Sequence, residues 1–374
     1  MGSDPGDHEL REALAERTRA LCDLASPFGQ EAALCDLLAR ECDAMFPGEV
    51  QRVGHSLVLG RVPAESKRPL VALFGHLDTV PLQPGDFPAR REGGRVYGRG
   101  ASDMKGAVAL LLELFSRLGP GGRAALAVDV LVVLYEREEG PFDDSGMPAV
   151  LAARPELSKA ALALCLEPTD LALQLGCCGS MHATLTFTGR TAHSARPWQG
   201  DNAVHKAGAL LTHLQSLAPR EVVFESGPLR LVYREVMSIT KIEGTSGRNV
   251  VPGACALNLN YRFAPGRSLD SAAQEVEALA ARFGATCVIT DRAPAGRVVL
   301  ESPLVQSLAH LLGTAPEPKQ AWTDVGRLGE LGIPAANFGP GEQAQAHQKG
   351  ESCPEDLLVR AYRLLERFLR EGAR

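Results

Sequence analysis

The chain has 374 residues, of which 45% are hydrophobic, and it carries a formal net charge of −6 at neutral pH. This length and composition predict a soluble globular protein with one large domain or two domains of ordinary size. Because basic residues are not in excess, the charge argues against a nucleic-acid partner and against binding to an anionic membrane.

The sequence carries no pattern typical of export or of membrane insertion. Residues 1–7 are acidic and rich in turn formers, without the basic and then apolar order of a signal peptide. The apolar run at 124–134 is interrupted by Asp129 and is shorter than the roughly 18 residues that span a bilayer. The nine cysteines include no Cys-x-x-Cys pair, which favours reduced cytosolic thiols. We therefore expect a cytoplasmic protein.

The first part of the chain alternates helical periodicity with short apolar runs. Periodicity in the first forty-odd residues breaks at Ser26-Pro27 and stops at Pro47-Gly48, which predicts two helices. Further alternation predicts an α/β fold, with a mostly parallel sheet sandwiched by helices. The expected strands are 71–74, 128–135 and 161–166, and the expected helices are 105–118 and 147–153.

From about residue 177 the pattern changes to one of a smaller α+β insertion over a single antiparallel sheet. The first pattern then returns, so we predict a discontinuous catalytic domain at 1–176 and 291–374, interrupted by the inserted domain at 177–290. In the insertion, strands are expected at 181–187, 235–242 and 254–263, and helices at 202–217 and 269–283. After it, helices are expected near 303–312 and 355–370 and a strand near 335–338.

Acids and histidines follow the predicted strands. His76, the pair Glu138-Glu139 and Glu167 come directly after three apolar runs, and Asp103 lies in a glycine-containing loop before a helix. Ligands collect at the carboxyl ends of strands in sheets of this kind. Any one of these motifs alone is more often a surface feature, but together, with His347 in a late loop, they predict one shared site.

The residue types at this edge predict a site for two metal ions. Asp103 can bridge two cations, and Asp78 can accept the second N–H of the His76 ring and so fix the tautomer that binds metal. We assign Glu139 as a ligand and Glu138 as the general base that takes a proton from water, and the reverse is open on local sequence alone. Carboxylate and imidazole donors favour zinc, cobalt or manganese over iron–sulfur or haem.

The inserted segment carries side chains that can contact a substrate. His193 is predicted to polarise the scissile carbonyl, with an exposed surface histidine as the alternative. Arg248 and Arg262 can hold carboxylates, because a guanidinium matches a carboxylate in a fork, and Asn249 offers an amide donor. Surface or core-rim ion pairs are the alternative for each arginine. No Gly-x-Ser-x-Gly elbow or matching cysteine motif supports a covalent nucleophile.

These motifs resemble the dinuclear-zinc metallopeptidase superfamily, which includes carboxypeptidases, aminoacylases, acetylornithine deacetylases and succinyl-diaminopimelate desuccinylases. The resemblance spans essentially the whole chain and implies two zinc ions, which cobalt or manganese can replace. It also implies that the inserted domain at 177–290 is a lid through which a homodimer forms. His193 would then reach the active site of the partner subunit. The implied ligands are His76, Asp103, Glu139, Glu167 and His347, with Asp78 orienting His76 and Glu138 acting as the base.

Within the superfamily, four stretches resemble the desuccinylase branch of high-GC Gram-positive bacteria. They are 192–198, 258–263, 322–324 and 337–341. The resemblance implies release of succinate from N-succinyl-LL-2,6-diaminopimelate, a small-molecule N-acyl amino acid, in lysine and diaminopimelate biosynthesis. The alternatives are a deacetylase, aminoacylase or carboxypeptidase of the same superfamily, and a binding protein without catalytic activity.

The chain departs from this branch at the entrance to the lid. It has Cys177-Cys178 where better known desuccinylases carry an arginine. Other donors must then meet the substrate carboxylates, and we expect them to be Arg196, Arg248, Asn249 and Arg262.

Overall fold

The computed structural model describes residues 5–244 and 247–373 and contains two compact units. Residues 1–4, which carry part of the argument against a signal peptide, lie outside the described residues. The first unit comprises Met1–Gly176, Val299–Glu317 and Thr323–Arg374, and the inserted unit comprises Cys177–Val298 and Pro318–Trp322. The role of the segment 177–290 as a lid and dimerisation domain stays a prediction.

The helices follow amphipathic stretches of sequence. In the last helix, the buried residues Leu358, Tyr362, Leu365 and Phe368 recur at helical spacing, so one face packs on the core. The described helices are α1 (Pro5–Cys22), α2 (Ala32–Met45), α3 (Gly106–Ala124), α4 (Met147–Ala153), α5 (Ala203–Ser216), α6 (Leu269–Arg282), α7 (Pro303–Leu312), α8 (Val325–Glu330) and α9 (Glu355–Glu371).

The strands alternate with the helices in the first unit and cluster in the inserted unit. They are β1 (Val50–Val53), β2 (Ser56–Leu59), β3 (Leu70–His76), β4 (Arg90–Glu92), β5 (Arg95–Tyr97), β6 (Asp129–Tyr135), β7 (Leu162–Cys165), β8 (Gln174–Leu175), β9 (Gly179–Thr188), β10 (Ala192–His193), β11 (Arg220–Ser226), β12 (Leu229–Glu243), β13 (Val250–Val251), β14 (Ala254–Phe263), β15 (Thr286–Ala293), β16 (Glu317–Pro318), β17 (Ala335–Asn337) and β18 (Ser352–Pro354).

The large sheet of the first unit runs in the order β1-β2-β6-β3-β7-β17-β8-β16. Its central strands β6, β3, β7 and β17 are parallel, whereas β1, β2 and β8 pair in antiparallel fashion. Every residue of β3, β6 and β7 is buried, as expected of mostly apolar strands in a sheet covered on both faces. The predicted α/β fold with a mostly parallel sheet is confirmed.

The register of the parallel strands brings the candidate site residues to one edge. His76, the last residue of β3, lies opposite Tyr135, the last residue of β6. Glu138 and Glu139 follow β6 after a short turn, and Glu167 follows the end of the neighbouring strand β7. Because parallel strands end at the same edge, the fold brings these side chains together.

The inserted unit has a five-stranded antiparallel sheet in the order β11-β12-β14-β9-β15. Inward-facing residues such as Leu185, Phe187 and Leu257 form a core with residues of α5 and α6. The sequence prediction omitted β11 and β15, the two edge strands. Both alternate between exposed and half-buried residues over most of their length, so their apolar signal is weak.

In the part of the chain that is described, no helix combines the length and the apolar character that crossing a bilayer requires.

A buried carboxylate joins several elements of the inserted unit. Glu235 of β12 is 5% exposed and accepts hydrogen bonds from Ala264 N at 2.9 Å, Arg267 Nε at 3.0 Å and Arg220 Nε at 2.5 Å. The Tyr261 hydroxyl donates to the same carboxylate at 3.3 Å. Burial alone would raise the pKa of Glu235, but these donors outweigh burial and lower it.

We predict that Glu235→Gln destabilises the protein at neutral pH and that this effect shrinks in acid. A carboxyl group whose pKa is lowered by folding stabilises the fold above its unfolded pKa, about 4.3 for glutamate, and loses this contribution as the pH falls through the folded pKa. Urea unfolding of parent and variant from pH 7 downwards measures the difference in free energy of unfolding. Glu225→Gln, at an exposed carboxylate of β11, is the control. A difference that does not change with pH would contradict the prediction.

Candidate metal centre

Three predicted ligands meet in the first unit. One ligand atom from each of His76, Asp103 and Glu139 lies within 4.8 Å of the other two. His76 is fully buried at the end of β3, and Asp103 and Glu139 have side chains that are 10% and 8% exposed. The three side chains therefore offer a nitrogen and carboxylate oxygens to one small volume.

Asp103 lies between two imidazoles. Its Oδ1 is 3.2 Å from His76 Nε2, and its Oδ2 is 3.5 Å from His347 Nε2. His347 Nε2 is also 3.1 Å from Glu139 Oε1. His347 is about half exposed and has a φ of 63°, so it enters the site from a turn in the chain. The contacts run from His76 through Asp103 to His347 and Glu139.

Glycines shape the loop that presents Asp103. Gly100 has a φ of 84°, and a Cβ atom there would lie 2.9 Å from Thr79 Cγ2. A Cβ atom at Gly106, the first residue of α3, would lie 2.6 Å from the carbonyl oxygen of Ala101. Only glycine fits the backbone at these two positions, and the turn between them holds Asp103 at the sheet edge.

Asp78 fixes the backbone of the two glutamates. Its Oδ1 accepts a hydrogen bond from Glu138 N at 3.0 Å, and its Oδ2 accepts one from Glu139 N at 2.8 Å. The prediction that this carboxylate accepts the N–H of His76 needs correction. His76 Nδ1 lies 3.0 Å from the main-chain oxygen of Asp78 and 3.6 Å from its Oδ1. The main chain of Asp78 thus makes the closer contact with the ring, and its side chain orients the glutamates.

Glu138 and Glu167 concentrate further negative charge at the site. Burial, and then the carboxylate of Glu167, raise the pKa of Glu138 well above its usual value. Burial lowers the pKa of His76, but the carboxylates of Asp103, Glu138, Asp78 and Glu167 outweigh it and raise that pKa. Glu167 is therefore close enough to act on both residues through its charge.

The carboxylates of the site also change the pKa of His347. Hydrogen bonds with Asp103 and Glu139 raise the pKa of His347 to about 10. Burial raises the pKa of Asp103, but His347 and His76 outweigh it and lower that pKa. The carboxylates that contact the two imidazoles make the site anionic, which favours cations.

The donor set fits divalent metal ions. Imidazole nitrogens and carboxylate oxygens are ligands of zinc, and a carboxylate with one imidazole on each oxygen can serve two ions at once. The predicted ligands His76, Asp103, Glu139 and His347 are linked by contacts, and Glu167 is linked to them through its charge.

Some residues around the site were not predicted. Glu351 is buried and accepts hydrogen bonds from the loop that carries Asp103. Asp324 is fully buried, accepts a 2.7 Å hydrogen bond from Arg327 Nε and contributes to the raised pKa of Glu138. Their sequence neighbourhoods lack the strand-then-acid pattern. The available signals were the four-residue spacing of Glu351 from His347 and the position of Asp324 in the stretch 322–324, which carries part of the family resemblance.

The predicted substrate contacts belong to the inserted unit. His193 of β10 is exposed, pairs with Val250 of β13, and accepts a hydrogen bond from Ala195 N on its Nδ1 at 3.0 Å. The turn before β13 carries Arg248 and Asn249, and Ser194 N donates to the carbonyl of Asn249 at 2.8 Å, so these loops adjoin. Arg196 is exposed in the His193 loop.

Arg262 occupies a different place in the inserted unit. It is half-buried on β14, and its Nε donates to Asn260 Oδ1 at 3.0 Å. Burial lowers the pKa of this guanidinium group. The inserted unit therefore brings His193, Arg196, Arg248 and Asn249 into one group of loops and places Arg262 in the sheet.

Comparison with known proteins places the chain in a family. The sequence model of peptidase family M20/M25/M40 matches residues 72–371, which include every candidate ligand. The chain belongs to this family. The predicted superfamily resemblance is thereby confirmed.

Several members of the M20 family are similar along most of their length. Over 362 residues, the chain is 36% identical to a Mycobacterium tuberculosis protein provisionally named succinyl-diaminopimelate desuccinylase, covering 96% of this chain and 99% of that protein. Identity with the succinyl-diaminopimelate desuccinylase of Corynebacterium glutamicum is 34%, covering 95% of each chain. An M20-family chain with such relatives is a hydrolase that acts on amide bonds.

Solved structures of the M20 family share the fold. A metallo-carboxypeptidase from Sulfolobus solfataricus aligns with a TM-score of 0.77 at 17% identity, covering 96% of this chain and 98% of its own. A Bacillus subtilis protein described as a dinuclear metal binding peptidase aligns with a TM-score of 0.69 at 15% identity, covering 98% and 99%. At these identities the likeness establishes the fold.

We predict that Gly341→Ala destabilises the first unit by about 1–3 kcal/mol, as overpacking does in tight interiors. A Cβ atom at Gly341 would lie 2.3 Å from the carbonyl oxygen of Ser102 and 2.8 Å from Cβ of Pro168, so it would push the Asp103 loop away from the segment after Glu167. Scanning calorimetry measures the change. Gly121→Ala, with no atom within 4 Å of the added methyl group, is the control. Equal melting temperatures for Gly341→Ala and the parent would disprove the overlap.

Proposed function

We propose that this hydrolase removes succinate from N-succinyl-LL-2,6-diaminopimelate with the help of two zinc ions. The observation that carries the proposal is the position of Asp103 between His76 and His347. Similarity to succinyl-diaminopimelate desuccinylases over nearly the whole chain supports the choice of substrate. A role in lysine and diaminopimelate biosynthesis also agrees with a cytoplasmic enzyme.

Two groups of ligands share Asp103 in this proposal. His76 and Glu167 would complete one zinc site, and Glu139 and His347 would complete the other. Bound zinc supplies Lewis acidity, which lowers the pKa of water to about 7 and polarises a carbonyl group. The dinuclear peptidase of Bacillus subtilis with the same fold supports a pair of metals, and cobalt or manganese can replace zinc in this donor set.

Glu138 acts as the general base. Its pKa is raised by burial and by Glu167, as suits a carboxylate that must accept a proton and then release it. The oxygen of water attacks the amide carbon while Glu138 takes the proton. As the bond between carbon and nitrogen breaks, Glu138 gives this proton to the leaving amine. Asp78 keeps the base in place through the main chain of Glu138.

The inserted unit recognises the substrate in this proposal. His193 stabilises the negative charge that develops on the carbonyl oxygen. Arg196, Arg248, Asn249 and Arg262 hold the carboxylates, and the half-buried guanidinium of Arg262 favours a paired, bidentate contact. The enzyme acts as a homodimer in which His193 serves the active site of the partner subunit.

A second substrate class has support of its own. The chain is 32% identical to the acetylornithine deacetylase of Myxococcus xanthus over 329 residues, covering 83% of this chain and 82% of that protein. Both reactions hydrolyse an N-acyl amino acid and differ in the acyl group, whose recognition depends on a few contacts.

We predict that the specificity constant for N-succinyl-LL-2,6-diaminopimelate is at least about tenfold above that for N-acetylornithine. The succinyl group carries a carboxylate that the acetyl group lacks, and loss of the pairing of a buried charged group costs more than about 1.4 kcal/mol. Steady-state assays with the zinc-loaded protein and both compounds provide the test. Glutarylated diaminopimelate, one methylene longer, is a matched control for acyl length. A higher constant for N-acetylornithine would assign the chain to the deacetylases.

We predict that Glu138→Gln retains two bound metal ions and loses about 10²–10⁴-fold in kcat, because it removes the base and leaves the ligands. Metal analysis and steady-state kinetics measure the two effects. Glu136→Gln, two positions away, is the control, because Glu136 accepts a hydrogen bond from His55 N and lies outside the ligand set. Loss of bound metal from the Glu138 variant would show that Glu138 is a ligand and that the two glutamates are assigned in reverse.

A further inference from the structure

A buried carboxylate accepts hydrogen bonds from the loop that carries Asp103. Glu351 has a side chain that is 1% exposed. Its Oε1 accepts hydrogen bonds from the main-chain N–H groups of Ser102 and Asp103, each at 2.9 Å. Its Oε2 accepts one from Gly100 N at 3.0 Å. A single side chain thus fixes three main-chain groups of the loop, including that of Asp103 itself.

The carboxylate is in turn held by a buried ion pair. Arg99 Nη1 donates to Glu351 Oε2 at 3.1 Å, and Arg99 Nε donates to Asp86 Oδ2 at 3.1 Å. The side chains of Asp86, Arg99 and Glu351 are each 1% exposed. Gln83 N also donates to Asp86 Oδ2, at 2.6 Å. The loop is therefore anchored through a row of three buried polar side chains.

Glu351 also links two distant parts of the chain. It lies four residues after His347, and its main-chain carbonyl accepts a hydrogen bond from Gly98 N at 3.0 Å. Glu351 contacts the Asp103 loop through its side chain and the start of that loop through its main chain. The spacing between Asp103 and His347 consequently depends on this residue.

We infer that Glu351, supported by Arg99 and Asp86, is a positioning residue that sets the geometry of Asp103 and His347 for metal binding. This inference rests on the proposed function, because it assumes that those two residues are ligands. A ligand whose backbone is held by hydrogen bonds keeps one orientation, and loss of such outer contacts weakens metal binding.

Both side-chain oxygens of Glu351 are needed as acceptors for this role. Four N–H groups point at its two oxygens, and a glutamine side chain would present an amide N–H₂ group to some of them. Buried charges add little net stability compared with apolar residues of similar volume, since desolvation offsets their attraction. The hydrogen bonds of Asp86, Arg99 and Glu351 therefore point to a role in orienting the loop.

The test compares two equivalent substitutions in the full-length protein. Glu351→Gln removes the charged acceptor from the Asp103 loop. Glu355→Gln is the matched control: Glu355 is 6% exposed, lies four residues further on, and accepts a hydrogen bond from Arg91 Nε at 2.9 Å, outside the 98–105 loop. Cobalt(II) is the probe, with affinity measured by competition with a chelator and site geometry by the visible absorption spectrum.

We expect Glu351→Gln to bind cobalt about 10–100-fold more weakly, with an altered spectrum and a lower kcat at similar KM, while Glu355→Gln binds cobalt as the parent does. Melting of the metal-free proteins separates positioning from general destabilisation. Parental cobalt affinity and spectrum in Glu351→Gln, or equal losses in both variants, would overturn the inference.

Arg99→Lys decides the matter if Glu351→Gln does not fold. Lysine keeps the positive charge but lacks the fork that contacts Asp86 and Glu351 together, so cobalt affinity should again fall and the spectrum should change. An Arg99→Lys protein that binds cobalt as the parent does, or that also fails to fold, would overturn the inference.

The parent protein separates this inference from the proposed function. If the parent binds no divalent metal, the proposed function fails. If the parent binds two metal ions and hydrolyses its substrate, and Glu351→Gln behaves in the same way, only the positioning role fails.

Discussion

The repulsion among clustered carboxylates is the constraint that the first unit must satisfy. Glu138 and Glu139 follow the buried strand β6, Glu167 follows β7, and Asp103 lies in the loop before α3. Two imidazoles contact Asp103 and Glu139 among them. Such an arrangement survives because its backbone is held from outside: Asp78 fixes the glutamate pair and Glu351 fixes the Asp103 loop. Two divalent ions would neutralise the charge, so the same concentration of acids that opposes folding favours metal binding.

The sequence predicted most of this arrangement because strand ends carry a readable signal. Continuous apolar runs predicted β3, β6 and β7, and the acids that follow them could be placed at one edge without coordinates. The contact that His76 makes with the main-chain oxygen of Asp78 was not predictable, because a residue pattern specifies which side chains are present and not how a tight turn directs the backbone. Glu351 was missed for a related reason, since its partners are main-chain N–H groups that every sequence contains.

The inserted unit shows where sequence patterns are weakest. Its core strands β9 and β14 were predicted from alternation, but the edge strands β11 and β15 were not, because edge strands bury fewer side chains. We propose that substrate recognition belongs to this unit, in the exposed loops around His193 and Asn249. Members of one family can therefore share the hydrolytic residues and differ in acyl group, since loops tolerate change that the sheet edge does not.

The order of the ligands along the chain has a consequence for synthesis in the cell. His76, Asp103, Glu139 and Glu167 all leave the ribosome before the inserted unit, whereas His347 and Glu351 follow it. The growing polypeptide must expose its acidic edge while more than a hundred further residues are translated. Only when the C-terminal segment returns to the first unit can the second imidazole and the side chain of Glu351 reach the Asp103 loop, so the contacts around Asp103 are completed late in the synthesis of the chain.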